Sequence, residues 1–431
     1  MGIISMESSR NFEAMETKAV VSTVIGNMLE WFDFSSYAFF ATILARLYFP
    51  TGDASTALIA AFAVFGIGLV ARPLGAIFFG RLGDIKGRKF ALMISMPMIG
   101  FATLAIALMP TYEQIGVWAP VCLVICRLAQ GFSAGGETGN VIAFLVEWAP
   151  QNRRGLYGSF SNASSVSGNF IGSLLAAALA SGLSPASLVS WGWRVPFLIG
   201  GLVIAPLGFY LRKNVAETPI FEGAVVDRGS AVRVHRTSVW TRGFKTACIT
   251  SVQVVAFYTF LIYVPSFLTV HGKISASTAL WMNSGALFVQ IVCILGAGRL
   301  SDLVGRKPLL LAASFVVLLL SYPVFSLFVA SASVPLVTLG VIASGAVCGV
   351  LSGVCPTTMA ELFPTYLRTT GMSIGFGLTT AIFGGFASLA SETLIKLTGS
   401  FSSPSYYVIG TSIISIAGLL SIRETAHSAL E

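Results

Sequence analysis

The sequence predicts an all-α integral membrane protein whose twelve transmembrane helices form two parallel six-helix repeats. Three observations predict it. Hydrophobic residues fill 55% of the 431 positions and charged residues only 10%, whereas a soluble domain is about a quarter charged. The apolar residues arrive in long runs instead of amphipathic spacing, and runs of the roughly 20 residues that span a hydrocarbon core recur along the whole chain. Two loop motifs also occur twice, in corresponding places of the two halves.

The runs lie near 20–49, 54–80, 90–110, 115–148, 155–183, 192–212, 244–270, 276–298, 308–330, 334–359, 370–397 and 404–422. Several exceed the length of a span, which implies tilt or helical extension beyond the bilayer. The 44 glycines, with Ser and Ala, suit close helix–helix approach in lipid. All six cysteines (Cys122, Cys126, Cys248, Cys293, Cys348, Cys355) fall inside these runs without zinc spacing. They read as packing thiols, the alternative being a metal pair at Cys122 and Cys126, one turn apart. No cleavable signal peptide is expected, since the first eighteen residues are polar and the first run carries Glu30 and Asp33.

Charge sets the orientation. With a cytoplasmic N-terminus, 20 of the 26 Lys and Arg fall on the cytoplasmic side, seven of them between Arg212 and Lys245. Arg46, Arg194, Lys273 and Lys396 fall outside, and Arg72 and Arg127 lie within spans. The positive-inside rule therefore places both termini in the cytoplasm. The net charge of +8 is a topology signal and not a nucleic-acid patch. The expected organisation is a cytoplasmic tail over 1–18, six helices over 19–212, a basic cytoplasmic loop over 213–243, six helices over 244–422 and a cytoplasmic tail over 423–431.

The repeat lies in the loops. GRLGDIKGRKFAL (80–92) follows the second span and GRLSDLVGRKPLL (298–310) the eighth; EWAPQNRRG from Glu147 aligns with ELFPTYLRT from Glu361. Parallel halves related by an axis along the membrane normal are the architecture of major facilitator superfamily transporters, which the chain resembles. At these loops Asp84 and Arg88, Asp302 and Arg306, Glu147 with Arg154, and Glu361 with Arg368 are candidate gating groups, pairing at the cytoplasmic helix ends while the site faces outward. The alternative is that they only mark span ends. Both copies depart from the superfamily pattern at Ile85 and Leu303, where a basic residue is usual.

Within the superfamily, GNMLEWFDF (26–34), ARPLGAIFFGRLGD (71–84), RLAQGFSAGGE (127–137) and WGWRVPF (191–197) closely resemble the metabolite:proton symporter family. MAELFPTYLRTTG (359–371), AIFGGF (381–386) and LTGSFSSPSYY (397–407) look most like its citrate–proton symporters. The resemblance implies a proton-coupled carrier importing citrate or a related tricarboxylate or dicarboxylate by alternating access. The alternatives are symport of zwitterionic osmolytes (proline or betaine) or of 2-oxoglutarate or shikimate. Relatives that carry zwitterions tend to have Lys where this chain has Arg127. An efflux antiporter is disfavoured, because drug exporters carry Gly-Pro in a fifth helix that here reads SVSGNFIGSLLAAALASG. The resemblance also implies a bacterial inner-membrane location and a monomer. The expected partners are a small organic anion, protons and the lipid bilayer, with no cofactor beyond the co-transported proton.

Ionisable residues at bilayer depth are costly and mark function. Glu30 and Asp33 lie three apart on the first helix, hence on one face; Arg72 lies on the second, Arg127 and Glu137 on the fourth. Burial favours the neutral form of a carboxylate and a neighbouring guanidinium the charged form. A Glu or Asp beside either arginine is thus suited to exchange a proton as the field changes. Arg72 and Arg127 are assigned to substrate carboxylates, because the guanidinium fork matches them bidentately; Glu137, Glu30 and Asp33 are the proton sites. Arg72 has a structural alternative, pairing with Glu30 or Asp33 to lock helices. Neutral contacts are expected from Asn162, Gln253 and Tyr258. The histidines (His235, His271, His427) fall in loops or the tail and are set aside as proton carriers. An enzyme or ATP-driven pump is excluded by the absence of H-E-x-x-H, G-x-S-x-G and Walker sequences.

Overall fold

A computed structural model describes residues 2–86, 88–135, 137–147, 149–213, 236–330, 333–363 and 368–426; at 2–20, 80–81, 83–86, 88–89, 91–92, 212, 236–240 and 370 it describes the backbone alone. The described residues are almost wholly helical. Helix α1 (Gly2–Phe39) breaks at Phe40 and continues as a short helix, Ala41–Tyr48. Nine stretches among the described residues are long and apolar enough to cross a membrane, and two shorter apolar helices accompany them. In chain order these are α2 (Ala54–Phe79), α3 (Met93–Leu108), α4 (Trp118–Glu147), α5 (Gln151–Gly182), α6 (Gly192–Leu211), α7 (Thr241–Val270), α8 (Ala276–Val304), α9 (Arg306–Ala330), α10 (Val334–Glu361), α11 (Gly371–Thr398) and α12 (Pro404–Leu420). With α1 they make the twelve-helix architecture that the apolar runs predict. The interior of the central loop, 214–235, lies outside the described residues.

Local sequence explains where these helices start and stop. Asp53 accepts from the backbone N–H of Ser55 at 3.3 Å and of Thr56 at 3.0 Å, capping α2. Ser275 caps α8 by accepting from Thr278 N at 3.2 Å. Pro404 opens α12, where its missing N–H costs nothing. Gly399, at φ 69°, closes α11 in the left-handed region that other residues adopt at a cost.

Two seams join the halves: α5 packs along α8 and α10, and α2 along α11. Small residues set both distances. A Cβ on Gly66 of α2 would stand 2.6 Å from the carbonyl oxygen of Gly385 on α11, and one on Gly298 of α8 would stand 2.6 Å from Ser159 Cβ on α5. Backbones therefore approach as closely as lipid-embedded helices can. Within the first half, Asn27 of α1 donates to Ser161 O (2.9 Å), Ser164 Oγ (2.7 Å) and Ser165 Oγ (2.8 Å) of α5. Much of the polar stretch on α5 is thus consumed by helix packing, since amides and hydroxyls away from water must find partners.

Three helices carry a π-helical turn: Gly200–Ile204 in α6, Tyr258–Tyr263 in α7 and Thr380–Gly384 in α11. Such turns are rare and cluster at functional sites. The last two face each other, because a Cβ on Gly384 would lie 2.9 Å from the Tyr258 ring.

Candidate substrate and proton site

Two arginines lie buried among aromatic rings in the first half. Arg127, with 0% exposure, places its guanidinium carbon 4.4 Å from the ring centre of Phe34, 4.5 Å from Tyr37 and 5.2 Å from Phe65. Arg72 sits 4.8 Å from Phe34 and 5.0 Å from Trp31. Ring quadrupoles contribute on the order of 2 kcal/mol to a desolvated cation, which helps hold both charges away from water. Small residues bring α2 and α4 together here: a Cβ on Gly68 would meet the Arg127 carbonyl at 3.0 Å. In both arginines Nε and Nη2 are buried and make no hydrogen bond among the described residues. Those two atoms share one edge of the guanidinium, the edge that grips a carboxylate side-on. Among the described residues neither arginine forms an ion pair with Glu30 or Asp33.

The carboxylate brought towards Arg127 is Asp33, by way of an amide. Arg127 Nη1 donates to Gln130 Oε1 at 2.9 Å, and Gln130 Nε2 donates to Asp33 Oδ2 at 3.2 Å and to Thr103 Oγ1 at 2.6 Å. Thr103 Oγ1 also donates to Asp33 Oδ2. Asp33 Oδ1 remains without a partner. Glu30 is buried one turn away with its Oε2 unpartnered, and Glu137 is buried at the start of the second segment of α4, Glu137–Glu147. Gln130 and Thr103 were not singled out from sequence. Gln130 was within reach, three residues after Arg127 and hence on its face; nothing in the sequence pointed to Thr103.

Beside this cluster, a central cavity is lined by Trp31 of α1, Asn162, Ser165 and Asn169 of α5, Gln253, Phe257 and Tyr258 of α7, Ser352 of α10, and Phe376 and Thr380 of α11. Both halves contribute. The three expected neutral contacts, Asn162, Gln253 and Tyr258, all line it; Arg72 and Arg127 are not among the lining residues, Arg72 lying against the rings of Trp31 and Phe34 and Arg127 against Phe34. Asn162 Nδ2 donates to Ser352 O at 2.8 Å across the seam, and Gln253 Nε2 reaches Ser352 Oγ at 3.4 Å. Gln253 Oε1, Tyr258 Oη, Asn169 Oδ1 and Thr380 Oγ1 are buried without partners. That many unpaired polar atoms around one space is costly unless a solute or water enters it.

The two halves are bridged at each end of the bundle. At the basic end, Glu147 meets Arg368 at 3.0 Å, and Asp302 of α8 accepts from Gly155 N at 2.7 Å and Leu156 N at 3.1 Å, capping α5 of the other half. Arg306 bonds Asp302 at 2.9 Å and Glu361 at 3.2 Å. Arg154 lies where Glu361, Arg306, Arg368 and Asp302 all act on it. Glu147 meets Arg368 across the seam between the halves, while Glu361 takes Arg306 within the second half. Of Asp84 and Arg88 only the backbone is described. The expected C-terminal tail is partly docked: Glu424 accepts from Arg306 N at 2.9 Å and Lys307 N at 3.0 Å, and Thr425 donates to Glu361 at 2.7 Å. At the opposite end, Ser55 of α2 donates to Glu392 of α11 at 2.6 Å, and Lys396 to Thr56 at 2.6 Å.

The sequence profile of the sugar (and other) transporter family matches residues 19–237 and 237–431, one match for each half. The chain belongs to this family of transporters. The proline/betaine transporter of Escherichia coli K12 is 32% identical over 430 residues, covering 96% of this chain and 85% of its own length. The citrate-proton symporter of Klebsiella pneumoniae is 33% identical over 406 residues, covering 93% and 90%. A glycine betaine/proline/ectoine/pipecolic acid transporter of Dickeya dadantii is 32% identical over 430 residues, covering 96% and 84%. Among solved structures, the major facilitator proton:xylose symporter XylE superposes with a TM-score of 0.79 at 17% identity, covering 97% of this transporter and 98% of that chain. The human organic anion transporter MFSD10 superposes at 0.67 and 14% identity, covering 94% and 99%. The transporter thus has the major facilitator fold.

Proposed function

We propose that this transporter is a proton-coupled symporter that imports a small carboxylate-bearing solute by alternating access, with the basic end of the bundle in the cytoplasm of a bacterial cell and the chain acting as a monomer. The observation that carries the substrate class is the unpaired Nε and Nη2 edge on both Arg72 and Arg127. A buried guanidinium edge left open is stabilised strongly by an arriving carboxylate and by little else.

Proton coupling is assigned first to Asp33, with Glu30 and Glu137 as further proton sites. Asp33 reaches Arg127 through Gln130, so a solute carboxylate arriving at Arg127 weakens the hold of that cation on Asp33 and favours its protonation. Solute and proton then load together, and both charges are offset before the halves rock. Bridges at both ends of the bundle support alternating access: one set must part while the other holds.

Within the carboxylate class, a compact zwitterion such as proline or betaine is the first reading. The names of the more numerous relatives point that way, and the cavity offers Trp31, Phe257, Tyr258 and Phe376 to an ammonium group. Citrate is the second reading, favoured by two open guanidinium edges where a monocarboxylate uses one. Uptake of labelled betaine and of labelled citrate into proteoliposomes, with an imposed inward proton gradient and a protonophore control, tests both. Uptake of neither, with no competition by any carboxylate, would overturn the substrate class.

A further inference from the structure

At the end of the bundle opposite the basic motifs lies a second buried carboxylate that the site above does not use. Glu392 of α11 is 0% exposed. It accepts from Tyr263 Oη at 2.5 Å and from Ser55 Oγ at 2.6 Å, and its two oxygens lie 2.9 and 3.1 Å from His271 Nε2. The donors come from different bodies: Tyr263 and His271 from α7 and its end, in the second half, and Ser55 from the capped start of α2, in the first. Glu392 is therefore the hinge pin of a cross-half latch. One turn along α11, Lys396 adds to the same grip, donating to Thr56 Oγ1 at 2.6 Å and lying 3.7 Å from Asp53.

We infer that Glu392 and His271 form a second proton-binding site, separate from the one around Asp33, and that its protonation holds the outer gate shut. His271 is suited to the task because it touches both environments. Its side chain is 11% exposed while that of Glu392 is 0% exposed, so a proton from the medium reaches the ring and not the carboxylate. The ring is packed between Phe267 at 5.4 Å and Phe401 at 5.1 Å, which keeps Nε2 aimed at Glu392. A neutral ring donates one ordinary hydrogen bond from Nε2. A ring that has gained a proton at Nδ1 donates the same bond as a cation, and charge-assisted bonds are roughly twice as strong. The gained charge also draws Glu392 towards His271 and so fixes the carboxylate where Ser55 donates to it across the seam.

The other titratable groups facing this pair are few. Tyr263 donates to Glu392, and Asp53 and Lys396 face each other at the rim, on surfaces open to water where their effect is screened. Helix α12, which also packs on α11, brings tyrosines but no charged side chain. External acid thus strengthens the latch and alkaline medium loosens it. For an importer driven by an inward proton gradient, this biases the carrier to close behind its load on the acidic side.

The inference rests on the alternating-access reading and on the sidedness proposed above, and the test separates them. Spin labels are placed at Gly52→Cys and Leu397→Cys, exposed positions on the two halves, with the six native cysteines replaced, in lipid nanodiscs. Distances are measured from about pH 8 to about pH 5.5. The short-distance population is expected to rise about fivefold or more on acidification, the scale of one strengthened hydrogen bond. His271→Gln, whose amide still donates but never charges, is expected to flatten that response. Ser55→Ala, which removes the cross-half bond and leaves the His271–Glu392 pair, is expected to lengthen the distance at every pH. A parent with no pH response, or a His271→Gln variant that keeps the full response, overturns the inference. A distance that moves with saturating betaine or citrate but not with pH overturns it while leaving alternating access standing; one that moves with neither removes both.

Discussion

Glu147 and Arg368 meet at 3.0 Å across the seam between the two six-helix halves, each supplied by the same motif in a different repeat. Arg368 is 1% exposed and Glu147 16% exposed at the side chain, so removing one partner strands a largely desolvated charge, at a cost of roughly 3 kcal/mol. Arg368→Ala is expected to shift the carrier towards forms open at the basic end. The check is labelling of Ser352→Cys, a cavity residue, by a water-soluble maleimide in a cysteine-free background. Labelling should accelerate about tenfold or more, and exchanging the two charges (Glu147→Arg with Arg368→Glu) should restore protection.

Arg127→Gln is expected to abolish saturable uptake, because no neutral side chain replaces the open guanidinium edge. Arg127→Lys keeps the charge but loses the fork, and its KM is expected to rise about tenfold or more, with residual transport. Labelled-solute uptake in proteoliposomes separates the two. Near-normal uptake by Arg127→Gln would sink the assignment.

Asp33→Asn removes a protonatable group while keeping the hydrogen bonds of Thr103 and Gln130 satisfiable. Uptake driven by an imposed proton gradient is expected to fall to the level of passive counterflow, whereas solute–solute exchange continues. Accumulation still driven by the gradient in this variant would move proton coupling to Glu30 or Glu137.

Gly131 stands where α4 crosses α2, and any Cβ there runs into the backbone of Gly68. Gly131→Ala is expected to destabilise the first half by about 1–3 kcal/mol, the usual cost of overpacking, and to lower the unfolding temperature in detergent. Gly182→Ala, at the open end of α5 with nothing within 4 Å, is the control and should unfold as the parent does.

Glu424 caps α9 from beyond the last helix. Its partial burial favours the protonated form, but backbone N–H donors of Ala426, Arg306, Lys307 and Thr425 outweigh this and hold the carboxyl below the ordinary glutamate range. A depressed value means that the stabilisation is present above the unfolded value of about 4.3 and is lost as pH falls through the folded one. Glu424→Ala is expected to cost about 1 kcal/mol at neutral pH in a thermal melt. The difference from the parent should shrink only in acid below that value.

Much of the fold was legible in the chain itself. Twelve apolar runs, a doubled GRLxD motif and a doubled Glu-to-Arg motif define helix number and parallel repeat, because lipid admits few other solutions for such a sequence. The buried arginines were legible for the same reason: charge at bilayer depth is rare enough to stand out. Asn162, Gln253 and Tyr258 were found as polar residues in apolar helices. Helix pairing was not legible. It decided that Glu147 takes Arg368, that Ser164 and Ser165 serve packing to Asn27, and that Asp33 reaches Arg127 only through Gln130.

His271 and Glu392 show the division most plainly. From sequence, one is a loop histidine and the other an acid near the end of a span, 121 residues apart, and no periodicity links them. The sequence by itself determined that this chain spans a membrane twelve times in two like halves and carries two arginines at bilayer depth. Only the tertiary structure decided which charges touch, because one-dimensional hydropathy records depth in the bilayer but not the rotation of each helix about its axis. That rotation is set by small residues such as Gly66, Gly131 and Gly298, at which neighbouring backbones close to contact.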